Sequence, residues 1–305
     1  MRKAVLAIFV LVPCILYAQY ERPGSTSGQF LKIGVSARAI GMGEAFTAVA
    51  NDASSIFYNP AGLARIEVRD ILLTHTKWFA SINYDFAGIA HKLPRAGAVA
   101  IFFGTLYTDA MEVRTPLRPE GTGELFYATD YVAGISYARF LTDRAALGLN
   151  FKYIRLNLMD YAVDTWAADL GTFFQTGWRS ARFGMRMANF GPHIKFITEP
   201  YSLPISFTLG VAMEIIEGGP HTLTLGVMGI KPTDAAERAS VGVEYWFQDM
   251  FALRGGYKIG YDAESWSFGV GFKTRMGKAT AKIDYAYSEF GFLTQAHRIS
   301  MGFAF

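Results

Sequence analysis

From Arg69 to the C-terminus the chain alternates large apolar residues with small or polar ones, and no other feature restricts its fold so tightly. In Ser265-Trp266-Ser267-Phe268-Gly269-Val270-Gly271-Phe272 every even position is large and apolar and every odd one small or polar. Ile205, Phe207, Leu209, Val211 and Met213 alternate with Ser206, Thr208, Gly210 and Ala212, and Leu147, Leu149, Phe151 and Tyr153 with Gly148, Asn150 and Lys152. Period two means a strand with one wet and one dry face. A soluble sandwich would show the same period. These segments, however, commonly run to ten or more residues, against ~5–6 for globular strands. Their second face is small or charged, as a wet or plugged lumen requires, and Tyr, Trp and Phe gather near strand ends, where aromatic girdles sit. A transmembrane strand needs ~9–11 residues at its tilt.

Fourteen segments can be marked: 69–79, 82–93, 97–109, 126–141, 144–159, 161–177, 181–190, 203–217, 221–231, 237–248, 250–260, 264–276, 278–290 and 293–305. Single-chain bacterial barrels have an even number. With the first strand rising from the periplasm, the periplasmic turns are all short, and the two longest connections, 110–125 and 191–202, fall on the outer side. This is the asymmetry expected of such barrels. The fold class expected is therefore all-β, a transmembrane antiparallel β-barrel of about 14 strands in the bacterial outer membrane. Its lipid is the first partner implied. Met301, Phe303 and Phe305 end the chain in the same alternation, resembling the C-terminal signal read by the barrel assembly machinery.

Composition removes other classes. The chain is 51% hydrophobic and 15% aromatic with net charge +3, which excludes disorder. No Lys/Arg cluster exists, which argues against nucleic acid as a partner. One cysteine excludes a disulfide scaffold. Met1-Arg2-Lys3, the apolar run Ala4–Tyr17 and Ala18-Gln19 read as a secretory signal peptide over residues 1–18. The run is too short for a spanning helix and is interrupted by Pro13. Cys14 offers lipid attachment as an alternative, ranked below plain cleavage because Leu-Val-Pro precedes it.

Residues 19–66 do not alternate, whereas 67–305 form the barrel. Gln19 to Lys32 is polar and reads as extended, and Ser36 caps a short helix over Ala37 to Ala50, loosened by Gly41 and Gly43. Gly41, Gly43, Ala45 and Ala48 allow close approach to other backbone. The segment is expected to be a partly helical plug, or hatch, in the lumen, the alternative being a periplasmic or membrane-surface helix. Arg38 and Glu44 would then need partners, since an unpaired buried charge is very costly. Lys152, Asp169, Glu244, Arg254, Lys258, Lys282, Asp284 and Arg298 are the wall candidates, the alternative being lumen water. Asp52 and Asn59 suit either hatch anchoring or ordinary turn capping. Gly41-Met42-Gly43 is not a phosphate loop, because no strand precedes it.

The stretch from Ala37-Arg38 through Gly41-Met42-Gly43-Glu44, continued by Asn51-Asp52-Ala53-Ser54-Ser55 and Asn59-Pro60-Ala61-Gly62, resembles the N-terminal motif of the PorV/PorQ family. That family is related to the FadL-type hydrocarbon transporters, whose hatch has a similar Asn-Pro-Ala-Gly stretch. The resemblance implies an outer-membrane barrel with its N-terminus in the lumen. Arg38, Gly41, Gly43, Glu44, Asp52, Asn59, Pro60 and Gly62 are its motif residues. For the PorV branch it implies a part in type IX secretion, docking exported proteins by their C-terminal signal domains, although such shuttles carry larger outer loops. That non-enzymatic docking role is the first functional expectation. The second is a FadL-like conduit for a hydrophobic small molecule, with Gly255-Gly256 as one source of a wall kink. The third is a barrel enzyme. His75, His91, His193, His221 and His297 show no ligand or nucleophile spacing, so no catalytic residue, metal or cofactor is expected.

Overall fold

The computed structural model describes residues 22–159, 161–196 and 198–305. The signal-peptide reading of residues 1–18, Cys14 included, lies outside the described residues. Fourteen antiparallel strands close on themselves. They are β1 (Arg69–Lys77), β2 (Ile82–Leu93), β3 (Gly97–Thr108), β4 (Ala128–Phe140), β5 (Ala145–Leu158), β6 (Tyr161–Gln175) and β7 (Arg182–Phe190). The other half comprises β8 (Ser206–Gly218), β9 (His221–Pro232), β10 (Arg238–Phe247), β11 (Phe251–Ile259), β12 (Trp266–Met276), β13 (Ala279–Glu289) and β14 (Gln295–Ala304). Each strand pairs with its neighbours in sequence, and β14 returns to β1 from Asp70↔Ala304 to Lys77↔His297. The last residue fastens that seam, as the Phe305 N–H donates to the Arg69 carbonyl at 2.9 Å.

The alternation acts as the sequence implies. On β12, Trp266, Phe268, Val270 and Phe272 point outward and are exposed, while Ser267, Gly269 and Gly271 are buried inside. A closed sheet with an apolar exterior has no second sheet to pack against, so lipid must cover that face. Outward Tyr153, Trp166, Tyr257, Trp266 and Tyr285 lie toward the end that carries the long connections. Among the described residues no helix is long and apolar enough to cross a membrane, so any crossing falls to the strands.

Segment edges move by up to three residues. The eighth starts at Ser206 rather than 203, because Pro204 has no N–H to give the ladder and Leu203 is fully buried in the interior cluster. The connections 109–127 and 191–205 sit at one end of the barrel, and each carries a two-residue hairpin, Met111–Glu112 with Leu125–Phe126 and Ile194–Lys195 with Pro200–Tyr201.

Inside the barrel lies the segment before β1. It contains a 3₁₀ turn at Gln29–Lys32, α1 (Ala37–Gly41), α2 (Ser55–Tyr58) and a second 3₁₀ stretch at Pro60–Arg65. Three expectations need correction here. The helix expected over Ala37 to Ala50 stops at Gly41, because Gly43 and Glu44 both take left-handed φ values of 62°, a conformation that ends helices. Ser36 makes no side-chain cap; instead the Ala37 N–H donates to Ser300 Oγ on β14 at 2.9 Å. Gln29–Lys32 also coils rather than extending. Val35, Met42, Phe46, Ile56 and Leu63 are buried, and burying each such side chain is worth roughly 1.5–3 kcal/mol. The hatch is thus the core that the barrel wall packs against.

Candidate functional site

The hatch and the space on either side of it form the site. Eight consecutive strands, β5 to β12, each place one inward glycine under the hatch backbone: Gly148, Gly171, Gly184, Gly210, Gly226, Gly242, Gly256 and Gly269. A Cβ on Gly171 would stand 2.7 Å from Pro60 Cδ, on Gly242 2.9 Å from Met42 Cβ, and on Gly269 3.0 Å from the Gly41 Cα. Residues 41–48 and 59–61 therefore lie close against the wall backbone. The sequence had shown the small residues on the hatch side of this contact; the matching belt in the wall was not anticipated.

Charges then pin the hatch. Arg38 gives a two-pronged contact to Glu244, Nε to Oε2 at 2.8 Å and Nη2 to Oε1 at 2.7 Å, and its Nη1 reaches Asn51 and Asp52, each at 2.8 Å. Glu244 also accepts from Arg254 Nε at 2.7 Å, and Arg254 Nη1 reaches Asp284 at 2.6 Å. Charge alternates along Asp52, Arg38, Glu244, Arg254 and Asp284, so no member of this chain is left uncompensated. Burial alone would raise the Asp52 pKa, but Arg38, Lys282 and Ser54 outweigh it and hold the carboxyl below its ordinary value. Glu44 pairs with Lys258 at 2.6 Å. Of the other wall candidates, Lys152 meets Asp169 at 2.7 Å and Lys282 meets Asp70 at 3.1 Å.

The remaining motif residues make the turns. Asn59 Oδ1 accepts from the Ala61 N–H at 3.2 Å, and its Nδ2 bridges the Thr47 carbonyl at 2.9 Å and the Thr172 carbonyl on β6 at 3.0 Å. It is both a cap and an anchor to the wall. Pro60 opens the 3₁₀ stretch, where a missing N–H costs nothing. Gly62 has no room for a side chain, as a Cβ there would lie 2.6 Å from the Ala50 carbonyl oxygen. Met301, Phe303 and Phe305 are away from the hatch, on the outward face of the β14 end.

The hatch divides the lumen. Below it, at the end with short turns, a polar cavity of about 370 Å³ is lined by Arg38, Arg65, Asp70, Arg182, Glu244 and Lys282 among others. Above it, at the end with long loops, a cavity of about 310 Å³ has a mixed lining that includes Phe30, Ile33, Ile40, Trp78, Leu106 and Phe290 beside Lys32, Arg298, Lys258, Glu44 and Glu264. Trp78 and Phe290 meet edge to face with centroids 4.8 Å apart. Wall pairing is continuous on β1–β3, and among the described residues register shifts occur only between Ala168 and Leu170 and between Glu214 and Ile216. Gly255-Gly256 makes no kink, since β11 pairs without a break on both sides.

A latch closes the upper side. Asp234, in the β9–β10 loop, accepts from Thr26 Oγ1 at 2.5 Å, Gln29 Nε2 at 3.0 Å and Lys32 Nζ at 2.6 Å. Its partial burial would raise its pKa, but these donors outweigh burial and hold it at about 2 against an ordinary 3.8. A depressed carboxyl stabilises the latch above its unfolded-state pKa, and the contribution disappears as pH falls through about 2. Asp234→Asn is expected to free residues 22–32 at neutral pH, read as faster hydrogen exchange there with the barrel amides unchanged. Wild type should show the same release only on acidification from about pH 4 toward pH 2. Equal protection in both proteins at pH 7 would discount the latch.

The sequence model of the Uncharacterised protein family UPF0164 matches residues 18–152, less than half of the chain. No curated protein matches the chain. Among solved structures, the Ralstonia pickettii toluene transporter TbuX superposes with a TM-score of 0.58 at 13% identity, covering 89% of this chain and 97% of that one. The Pseudomonas putida toluene transporter TodX gives 0.59 at 11% identity, covering 88% and 97%. A Pseudomonas aeruginosa FadL homologue gives 0.51 at 11% identity, covering 94% and 98%. At such identities the likeness is one of fold: the chain is a closed 14-stranded barrel of FadL-like architecture.

Proposed function

We propose that the protein is a non-enzymatic, FadL-like conduit for hydrophobic small molecules in the bacterial outer membrane. The observation that carries this reading is the cavity above the hatch, whose mixed lining includes Phe30, Trp78 and Phe290, at the end of the barrel that we assign to the outside from its long loops. Such a cavity suits capture of an apolar solute from the outer side. The hatch fills the lumen beneath it, so passage requires the hatch to shift, and the polar cavity below leaves room for that. The fold likeness to two toluene transporters supports the reading. Docking of exported proteins, suggested by the PorV/PorQ-like motif, rests on that motif alone. The loop 191–205 turns inward, with Ile194 and Leu203 buried in the same cluster as Phe30 and Leu31.

The test is uptake of labelled toluene by cells with an intact outer membrane that lack their own FadL-type barrels. Expression of this chain is expected to raise the initial rate several-fold over a vector control. Uptake at the vector rate, with the folded barrel verified in the outer membrane, would reject the conduit.

A further inference from the structure

Among the described residues lining the upper cavity, one cation has no carboxylate in salt-bridge contact. Arg298 on β14 is 2% exposed, lines the cavity, and has no carboxylate within 4.0 Å among the described residues. Its Nε and Nη1 have no hydrogen-bond partner there either. Its guanidinium lies over the Trp78 ring, 4.8 Å from the centroid. Directly across the β1–β14 ladder sits Thr76, whose buried Oγ1 is also unpartnered.

Most other lumen cations are treated differently. Arg38, Lys152, Arg182, Arg254 and Lys258 each have a carboxylate within 2.8 Å, and Arg186, whose Nε is also unpartnered, still has Asp169 at 3.9 Å. Both acids that line the same cavity, Glu44 and Glu264, are held by Lys258, and Lys32 is held by Asp234. A buried guanidinium with free N–H groups is costly to keep. An oxyanion placed on it would recover charge-assisted, two-pronged hydrogen bonding. Apart from Gln29 and Ser288, the rest of the lining is apolar, with Phe30, Trp78 and Phe290 its aromatic members, which suits an anion carried on an apolar body.

We propose that the cavity binds a compact aromatic carboxylate, with its carboxylate on Arg298 and its ring against Trp78 and Phe290. Deepening the conduit reading on which it rests, this names a charged ligand class for the same cavity. The volume of about 310 Å³ is near the lower end of ~300–1,000 Å³ for small-molecule sites, which favours one or two rings over a long acyl chain. Glu44 and Glu264 repel an anion, and Lys258, paired with both, offsets one of their two charges, so the bonds gained on Arg298 must outweigh the repulsion that remains.

The test compares 2-naphthoate with uncharged 2-naphthamide on the purified full-length barrel in neutral detergent, by quenching of tryptophan fluorescence. Wild type is expected to bind the carboxylate about tenfold or more tighter than the amide. In Arg298→Gln the ratio should fall to about one while the affinity for the amide stays within about twofold, and Arg298→Lys should retain part of the preference. Heat-modifiable migration checks that each variant is folded. A wild-type ratio near one, with both probes bound, overturns the anion site and leaves the conduit reading intact. A preference that survives in Arg298→Gln overturns the assignment to Arg298. Failure of both probes to bind, beside toluene uptake that still exceeds the vector control, overturns the ligand class alone.

Discussion

Glu244→Gln is expected to loosen the hatch by about 3–5 kcal/mol, the usual cost of removing one partner from a buried ion network. Glu244 is 1% exposed and accepts three charge-assisted hydrogen bonds, two from Arg38 and one from Arg254. A glutamine has one acceptor oxygen, and its amide N–H groups would face a guanidinium. Arg38 keeps Asp52 and Arg254 keeps Asp284, which places the effect toward the lower end of that range. The readout is conductance in planar bilayers and swelling of proteoliposomes in small sugars, both of which should rise. Arg38→Met combined with Glu244→Gln should cost less than the two single changes added together, because the Arg38–Glu244 contact that each removes is lost only once. Unchanged conductance and unchanged denaturant midpoint in Glu244→Gln would remove the network from the account of how the hatch is held.

The second large effect is expected at two adjacent glycines on β11. A methyl group on Gly256 would stand 2.5 Å from the Gly43 Cα, among hatch backbone atoms that cannot rotate away. On Gly255 it would stand 3.8 Å from Val243 Cγ2, on the outward face. Neither glycine has a positive φ, so alanine is free of backbone strain at both sites. Gly256→Ala is therefore expected to destabilise the seated hatch by about 1–3 kcal/mol, the range for overpacking, and Gly255→Ala to change it by less than ~0.5 kcal/mol. Protection of the amides of residues 41–48 against hydrogen exchange would measure this. Equal protection in the two variants would show that the glycine belt is not what seats the hatch.

Much of the barrel was legible because lipid outside and a narrow filled lumen inside impose opposite demands on alternate residues. Trp266 and Phe268 cannot exchange faces with Ser267 and Gly269 without exposing polar atoms to lipid and crowding the hatch. The hatch was legible in part. Its glycines and alanines signalled close backbone contact, and Arg38 and Glu44 announced that they needed partners. Which partners they found was not readable, since the eight wall candidates differed in no local feature. Glu244 and Lys258 met the hatch, Lys152 and Asp169 met each other, and Arg298 was left unmatched. Asp234 was missed, since an acid in a loop next to Pro232 looks like any solvated turn residue until Thr26, Gln29 and Lys32 come to rest on it.

The sequence by itself determined the strand count, the outward face and the presence of a non-alternating leader, because each follows from a local period set by solvent on two sides of one sheet. Only the tertiary structure decided how the leader sits. The belt of glycines from Gly148 to Gly269, the chain of charges from Asp52 to Asp284 and the unmatched Arg298 are relations among residues on different strands. Those relations arise when the ladder closes and sets which inward positions share a level, and no local pattern carries that information.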